Sequence, residues 1–316
     1  MTELKLPAFA DAKTFRAWRS DPSQWLPIAI DIARSHDLDA GTPHVFSTGT
    51  NLVAGISDRL ILKIFPPLLR AQFVSERGSL TQLNGRLHLP IPEIVVEGER
   101  DGWPYLVITR LSGTLGSEVW PELPEAQKER VLRQIGETIA AVHRAPLGPL
   151  AEIEPRWDAF MRAQMQACRD RHTRLGLPPK FLAGLDDLLR DAATLIPMEA
   201  PPVILIGEYI PENFLLACCD DQWSLAGLFD FGDVRAGWRD YDLLGPSAFM
   251  SAGRPGRVRS LLEGFGYEKP DFALKRRLMA LMLLHHASDL NSHICIAGWQ
   301  EQADDLLELQ ELIWAS

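Results

Sequence analysis

Apolar positions in the first third of the chain fall mainly into short runs bounded by turn residues, and later ones recur mostly at helical spacing. Trp25, Ile28, Ala29 and Ile32 form a stripe that predicts a helix over Pro22–Ser35. The segment His44–Ile64 has strand character, interrupted by Thr48-Gly49-Thr50 and by Ser57-Asp58. Arg59–Phe65 reads as a strand stopped by Pro66-Pro67, because proline cannot donate to a sheet ladder. A helix over Arg70–Asn84 follows, then strands near Glu93–Glu97 and Pro104–Thr109. The stretch Arg110–Thr114 marks the crossover to helical spacing, with helices predicted at Pro124–Arg144, Trp157–Arg171 and Pro179–Leu195. A stranded insert, Val203–Phe231, is broken at Pro211-Glu212 and Asp220-Asp221. Helical patterns resume from Tyr241, then at Arg257–Gly264, Asp271–Asn291 and Glu301–Trp314.

The chain has 316 residues, beyond the size at which a single core usually keeps growing, so two domains are expected, 1–110 and 111–316. An apolar content of 46% suits a globular protein and excludes general disorder. The formal charge of -10 disfavours nonspecific contact with nucleic acid or an anionic membrane and suits a cationic small molecule. Basic and aromatic residues interleave too sparsely for a nucleic-acid groove. No run approaches the roughly 18 apolar residues of a membrane span. Met1–Phe9 lacks the basic and apolar regions of a secretory signal, so a cytoplasmic protein, monomeric or weakly dimeric, is expected. Cys168, Cys218, Cys219 and Cys295 have no metal-ligand spacing and read as reduced thiols. Trp157, Trp238 and Trp299 are expected to pack against neighbouring helices.

The chemistry concentrates in Ile206-Gly207-Glu208-Tyr209-Ile210-Pro211-Glu212-Asn213 and in Phe229-Asp230-Phe231-Gly232. A carboxylate and an amide on one loop can divide two tasks, orienting a hydroxyl nucleophile and holding a metal. The apolar run Leu225–Phe229 can bring the Asp230 carboxylate to the end of a sheet, and Gly232 permits a close turn. Lys63 on a strand and Glu76 on the next helix can form a charge-assisted pair, although spacing alone also fits a solvated lysine and an unrelated glutamate. Asp240 and Asp242 are placed at the start of a helix, where a carboxylate caps or favours the positive end. His285 and Asp289 are predicted to share one face of the late helix, in a helix–helix polar contact. Thr48-Gly49-Thr50-Asn51 has a single glycine, which fits an ordinary hairpin turn as well as a phosphate-covering loop.

With these residues in view, the chain resembles the aminoglycoside phosphotransferase and choline kinase superfamily, and its pattern is similar to that of hygromycin-type phosphotransferases. The family's central motif is His-Gly-Asp, four residues and Asn, then a strand and Asp-Phe or Asp-Trp. Here it reads Ile206-Gly207-Glu208 with Asn213, then Asp230-Phe231. The likeness extends to Leu62–Phe65, Ser75-Glu76, Leu89–Pro92, Trp103–Thr109, Val142-His143-Arg144 and the run from Asp230 to Asp240, covering about residues 20–290. It implies an α+β, bilobal, protein-kinase-like fold, with an N-terminal mixed β-rich lobe and a mainly helical C-terminal lobe. It also implies Mg²⁺- and ATP-dependent phosphoryl transfer, with GTP as a possible donor, to a hydroxyl of a small molecule such as an aminoglycoside-like antibiotic. Under the resemblance Glu208 is catalytic, Lys63, Glu76, Thr109 and Leu111 serve the nucleotide, and Asn213 and Asp230 bind the metal. Asp233, Asp240, His285 and Asp289 are candidates for contact with a cationic acceptor. Two departures stand side by side: Glu208 replaces Asp and Ile206 replaces His. Reference acidities of about 3.9 and 4.3 make Asp and Glu equivalent as bases, but their reach differs. Nucleotidyl transfer and a catalytically impaired kinase-like binding or regulatory protein are the alternative functions.

Overall fold

The computed structural model describes residues 5–39 and 41–315; the first four residues of the Met1–Phe9 reading lie outside the described residues. The chain divides into two compact units, giving the bilobal α+β organisation expected from the sequence. Unit 1 comprises the described residues up to Asn84, together with Pro90–Ser112 and Leu228–Asp233. Its elements are α1 (Ala12–Arg19), α2 (Leu26–Ser35), β1 (His44–Phe46), β2 (Leu52–Gly55), β3 (Leu60–Ile64), α3 (Arg70–Leu83), β4 (Ile94–Arg100) and β5 (Trp103–Thr109). The strands form one antiparallel sheet in the order β1-β2-β3-β5-β4.

Strand alternation decides what this sheet does. Leu62 and Ile64 pair with Val107 and Tyr105 and join Trp25, just before α2, and Ile28 and Ile32 of α2 in the core. Lys63, opposite Leu106, therefore points to the other face, because successive side chains alternate. The helix α1 was not marked by the apolar pattern, since Phe15 and Trp18 are its only strong anchors. Asp11 caps it by accepting from the N–H groups of Lys13 and Thr14, and Phe15 and Trp18 lie 5.8 and 5.9 Å from the buried Trp103 ring.

Unit 2 contains the rest of the described chain. It begins with β6 (Thr114–Leu115), α4 (Gly116–Val119), α5 (Glu125–Arg144), α6 (Trp157–Arg174), α7 (Pro179–Ala183) and α8 (Leu185–Leu195). The strand-rich centre is β7 (Val203–Leu205), β8 (Phe214–Cys219), β9 (Gln222–Leu228, whose last residue joins unit 1) and β10 (Arg235–Gly237). The close is helical: α9 (Leu244–Pro246), α10 (Pro255–Phe265), α11 (Phe272–Leu284), α12 (Leu290–His293), α13 (Trp299–Gln302) and α14 (Leu306–Ile313). Helices α5 and α10 approach through Gly136 and Gly264, where a Cβ on either would collide with the backbone carbonyl of Leu261 or Arg133.

Three helices predicted as continuous are interrupted. Pro179–Leu195 breaks at Gly184, and Glu301–Trp314 is reset by Asp305, which caps α14 through the N–H groups of Leu307 and Glu308. Asp271–Asn291 ends at Leu284: His285 leaves the helix with φ -58° and ψ 136°, and Asp289 caps the next short helix. His285 and Asp289 thus share no helix face. Trp157 and Trp299 are buried, and Trp238 is half-buried. Among the described residues no helix is long and apolar enough to cross a membrane.

Candidate active site

Unit 1 carries a buried ionic constellation. Lys63 Nζ lies 2.7 and 2.5 Å from the two carboxylate oxygens of Glu76 and 3.2 Å from Asp230 Oδ1. Lys63 and Glu76 are 7% and 1% exposed, so the pair is screened from water. Burial disfavours the Lys63 ammonium, but Glu76 and Asp230 outweigh it and hold the group charged above the usual lysine range. Burial pushes the Glu76 carboxyl up to about 7, against the opposing pull of Lys63. A charge held in this way has a fixed position from which to meet an anion. Asp230 itself has φ 68°, a left-handed conformation that costs a non-glycine residue about 1–3 kcal/mol and tends to mark functional sites.

The segment around Asp230 is tied to the β1–β2 hairpin through α3. Gln72 donates to Asp233 Oδ1 at 3.3 Å and accepts from Thr50 Oγ1 and Asn51 Nδ2 at 3.1 and 3.0 Å. Arg19 donates to the carbonyls of Gly49 and Asn51, holding the hairpin tip from α1. Asp233 is therefore committed within unit 1. Thr109 ends β5, its hydroxyl accepting from the N–H of Glu93, and Leu111 follows it in the half-buried connecting segment.

Unit 2 carries the loop around Glu208. Gly207 has φ 80°, which glycine adopts without steric cost. The fully buried Asp242 braces this turn: Oδ1 accepts from the Gly207 N–H at 2.7 Å and Oδ2 from the Ile206 N–H at 3.3 Å. His143 Nε2, from the end of α5, donates to the same carboxylate at 2.9 Å. Asp242 does not cap a helix as expected, because its acceptors are consumed by loop amides and an imidazole. The loop's polar support thus comes from Asp242 and His143 rather than from position 206. Asn213 closes the loop, donating to the Glu208 carbonyl at 3.1 Å and to Glu208 Oε2 at 3.4 Å.

Of the four candidate acceptor residues, only His285 shares a cavity with Glu208. That cavity, about 160 Å³, lies within unit 2 and is walled mainly by Leu244, Ala248, Phe249, Met282 and Leu290. Asp240 is fully buried, accepting from Tyr267 Oη at 2.7 Å and Arg277 Nε at 2.6 Å, so it forms no negative rim. Asp289 is spent on the N–H of Asn291 and the hydroxyl of Ser292.

His285 stacks on Tyr241 at 4.7 Å, accepts from the Ala287 N–H through Nδ1, and is hydrogen-bonded to the backbone of Gly207. Burial, reinforced by His286 and Arg235, lowers its pKa from 6.5 to about 3, so the ring is neutral at physiological pH. The unfolded chain then binds more protons than the folded one between those two values, and stability is lost as pH falls from 6.5 toward 3. Thermal unfolding midpoints are expected to fall along that acid limb, and His285→Gln to flatten part of the slope. An unchanged slope in the variant would show that His285 does not set it.

Sequence reasoning assigned no role in bracing the loop to His143 or Asp242. Asp242 left one signal, a second acid inside the apolar run Tyr241–Leu244, where a solvated carboxylate is out of place.

Residues 46–282, most of the chain, match the model of the family described as phosphotransferase enzyme family. Solved structures share the fold. An aminoglycoside phosphotransferase in complex with GDP and kanamycin is 20% identical, with a TM-score of 0.64 over 82% of this chain and 88% of that one. The GDP complex of wild-type aminoglycoside 2'-phosphotransferase-IIIa is 19% identical, with a TM-score of 0.59 over 92% and 87%. The macrolide 2'-phosphotransferase of Brachybacterium faecium is 19% identical, with a TM-score of 0.57 over 81% and 90%.

Proposed function

We propose that this chain, which belongs to the phosphotransferase enzyme family, transfers the γ-phosphoryl group of a nucleoside triphosphate to a hydroxyl of a small molecule. The observation that carries the reading is the buried Lys63, fixed by Glu76 and paired with an Asp230 held in a left-handed conformation. Lys63 would contact the α/β-phosphates at the position Glu76 sets, and the segment at Thr109 and Leu111 would serve the base. Asp230 and Asn213 are the proposed Mg²⁺ ligands. Their donor atoms fit a hard cation: Asp230 Oδ1 meets Lys63, leaving Oδ2, and Asn213 spends Nδ2 on Glu208, leaving its carbonyl oxygen. Bound Mg²⁺ would neutralise charge on the β- and γ-oxygens.

Glu208 orients the acceptor hydroxyl and takes its proton as the new O–P bond forms; the bond from Pγ to the bridging oxygen breaks, and the nucleoside diphosphate leaves with that electron pair. In a loose transition state positioning matters more than basicity, so a glutamate can serve where the loop is built around its length. The overall sequence pattern, although not the Ile206 and Glu208 positions, resembles that of hygromycin-type members. ATP is the proposed donor. Similar structures are described as complexes with ATP, ADP or GDP, which makes GTP the second donor to assay. Similar structures are described as complexes with kanamycin, gentamicin or streptomycin, so antibiotics belong in the panel of candidate acceptors.

Incubation with α- or γ-labelled ATP, Mg²⁺ and a panel of antibiotics, amino alcohols and simple alcohols tests the reaction. Only the γ-label is expected on the acceptor, with Asp230→Asn abolishing its appearance. The α-label on the acceptor would indicate nucleotidyl transfer, and tight Mg-ATP binding without labelled product would indicate a binding protein.

A further inference from the structure

We infer that the acceptor is an uncharged, largely apolar molecule that offers one hydroxyl to Glu208 and a second oxygen to Ser288. The inference rests on the phosphotransferase reading and names the substrate class of the same site. Glu208 is the only residue with a carboxylate, lysine or arginine side chain among those lining the cavity; the walls around it are aliphatic or aromatic. The two lining imidazoles, His285 and His293, both have pKa values lowered chiefly by burial, so they add no positive charge at neutral pH. None of the candidate acceptor-binding acids lines this cavity: Asp233 accepts from Gln72 in unit 1, Asp240 is paired with Arg277 and Tyr267, and Asp289 is a cap. The neighbouring Asp242 holds His143 and the loop amides. A polycation brought against these walls meets one counter-charge, Glu208, and each further ammonium would lose hydration without a partner.

A second observation specifies the ligand further. Ser288 is 4% exposed and lines the cavity, and its Oγ, itself enclosed, has no hydrogen-bond partner among the described residues. A buried hydroxyl left unsatisfied is unfavourable, and a ligand oxygen relieves this once the Ser288 side chain turns its hydroxyl toward the cavity. The ring nitrogens of His285 are not open to the ligand in the same way, since Ala287 and Gly207 already engage that side chain. In size, an apolar cavity of about 150 Å³ accepts a benzene-sized guest, which sets the scale of the group that enters here.

The test uses the full chain with Mg²⁺ and γ-labelled ATP. The probes are the alkan-1-ols from butanol to octanol, the matching terminal diols, and kanamycin and gentamicin as polycations. For the alkanols kcat/KM is expected to rise by about fourfold per added methylene, the equivalent of about 0.8 kcal/mol, until the cavity is filled, with little salt dependence. The diols should gain over alkanols of equal length, and Ser288→Ala should cut that diol-to-alkanol ratio by about tenfold. Ala248→Phe should suppress alkanol phosphorylation; Ala248→Val, a milder change, should shorten the longest alcohol accepted. Mg-ATP binding to each variant reports its folding. Phosphorylation of kanamycin or gentamicin in preference to every alcohol, weakening with salt, would overturn the inference while leaving the phosphotransferase reading intact. So would alcohol rates flat with chain length, or a diol ratio unmoved by Ser288→Ala. Absence of Mg-ATP binding to the unmodified chain would remove the phosphotransferase reading, and the inference with it.

Discussion

Glu208→Gln is expected to lower kcat by about 10²–10⁴-fold, the range that a positioned proton acceptor contributes, with little change in KM for the nucleotide. Glutamine preserves the length of the side chain and can still accept from Asn213 Nδ2, which now reaches Glu208 Oε2 at 3.4 Å. What it loses is the capacity to take the acceptor's proton. Glu208→Asp separates reach from basicity. Shortening the side chain by one methylene withdraws the carboxylate by roughly an ångström, and misplacement on that scale can cost about 100-fold in rate. The loop around it is fixed by Asp242 and His143, so it has little freedom to follow. Steady-state turnover with the best acceptor measures both variants. Undiminished turnover in Glu208→Gln would remove the carboxylate from the mechanism, and faster turnover in Glu208→Asp would mean the site is not built around glutamate.

The largest expected effect on stability lies away from the cavity. Asp240→Ala removes the counter-charge of Arg277, whose side chain is 19% exposed, and leaves the Tyr267 hydroxyl without its acceptor. Asp240 outweighs the burial that disfavours the charged Arg277, and the intrinsic basicity of a guanidinium keeps it charged when that partner is removed. Breaking a buried pair from one side costs about 3–5 kcal/mol, because the remaining charge has no compensation. Urea unfolding should register a loss of that size, and Asp240→Asn, which keeps an acceptor for Tyr267, should lose less. A loss below about 1 kcal/mol in Asp240→Ala would place Asp240 among ordinary surface-like ion pairs.

Much of the fold was legible because burial imposes a period on the chain. The apolar run Arg59–Phe65 marked the strand that carries Lys63, and turn residues at Pro66-Pro67 closed it. The helix boundaries were less legible. The run Leu278–Leu284 is buried all round, so its pattern gives no sign of where the helix stops. The stop at His285 comes with contacts to residues distant in sequence, the Tyr241 ring and the Gly207 backbone. Helix α1 escaped for the opposite reason: two aromatic anchors bind it to Trp103, and too few other apolar residues mark a period.

The candidate site divides along the same line. The proposed site residues were all legible as sequence patterns: a strand lysine, a helix glutamate, the Glu208–Asn213 loop and Asp230 before a glycine turn. These are local patterns, and their spacing along strands and loops constrains them. What each neighbouring acid does depends on contacts between residues far apart in the chain. Asp240 and Asp242 are separated by one residue, yet one neutralises Arg277 and the other holds the Glu208 loop. The net charge of -10 suited a cationic acceptor, but Asp240 and Asp242 are turned inward, and the cavity that Glu208 lines has mainly apolar walls. A carboxylate's partner is set by what the fold brings within about 3 Å of it, and that distance is not written in sequence separation.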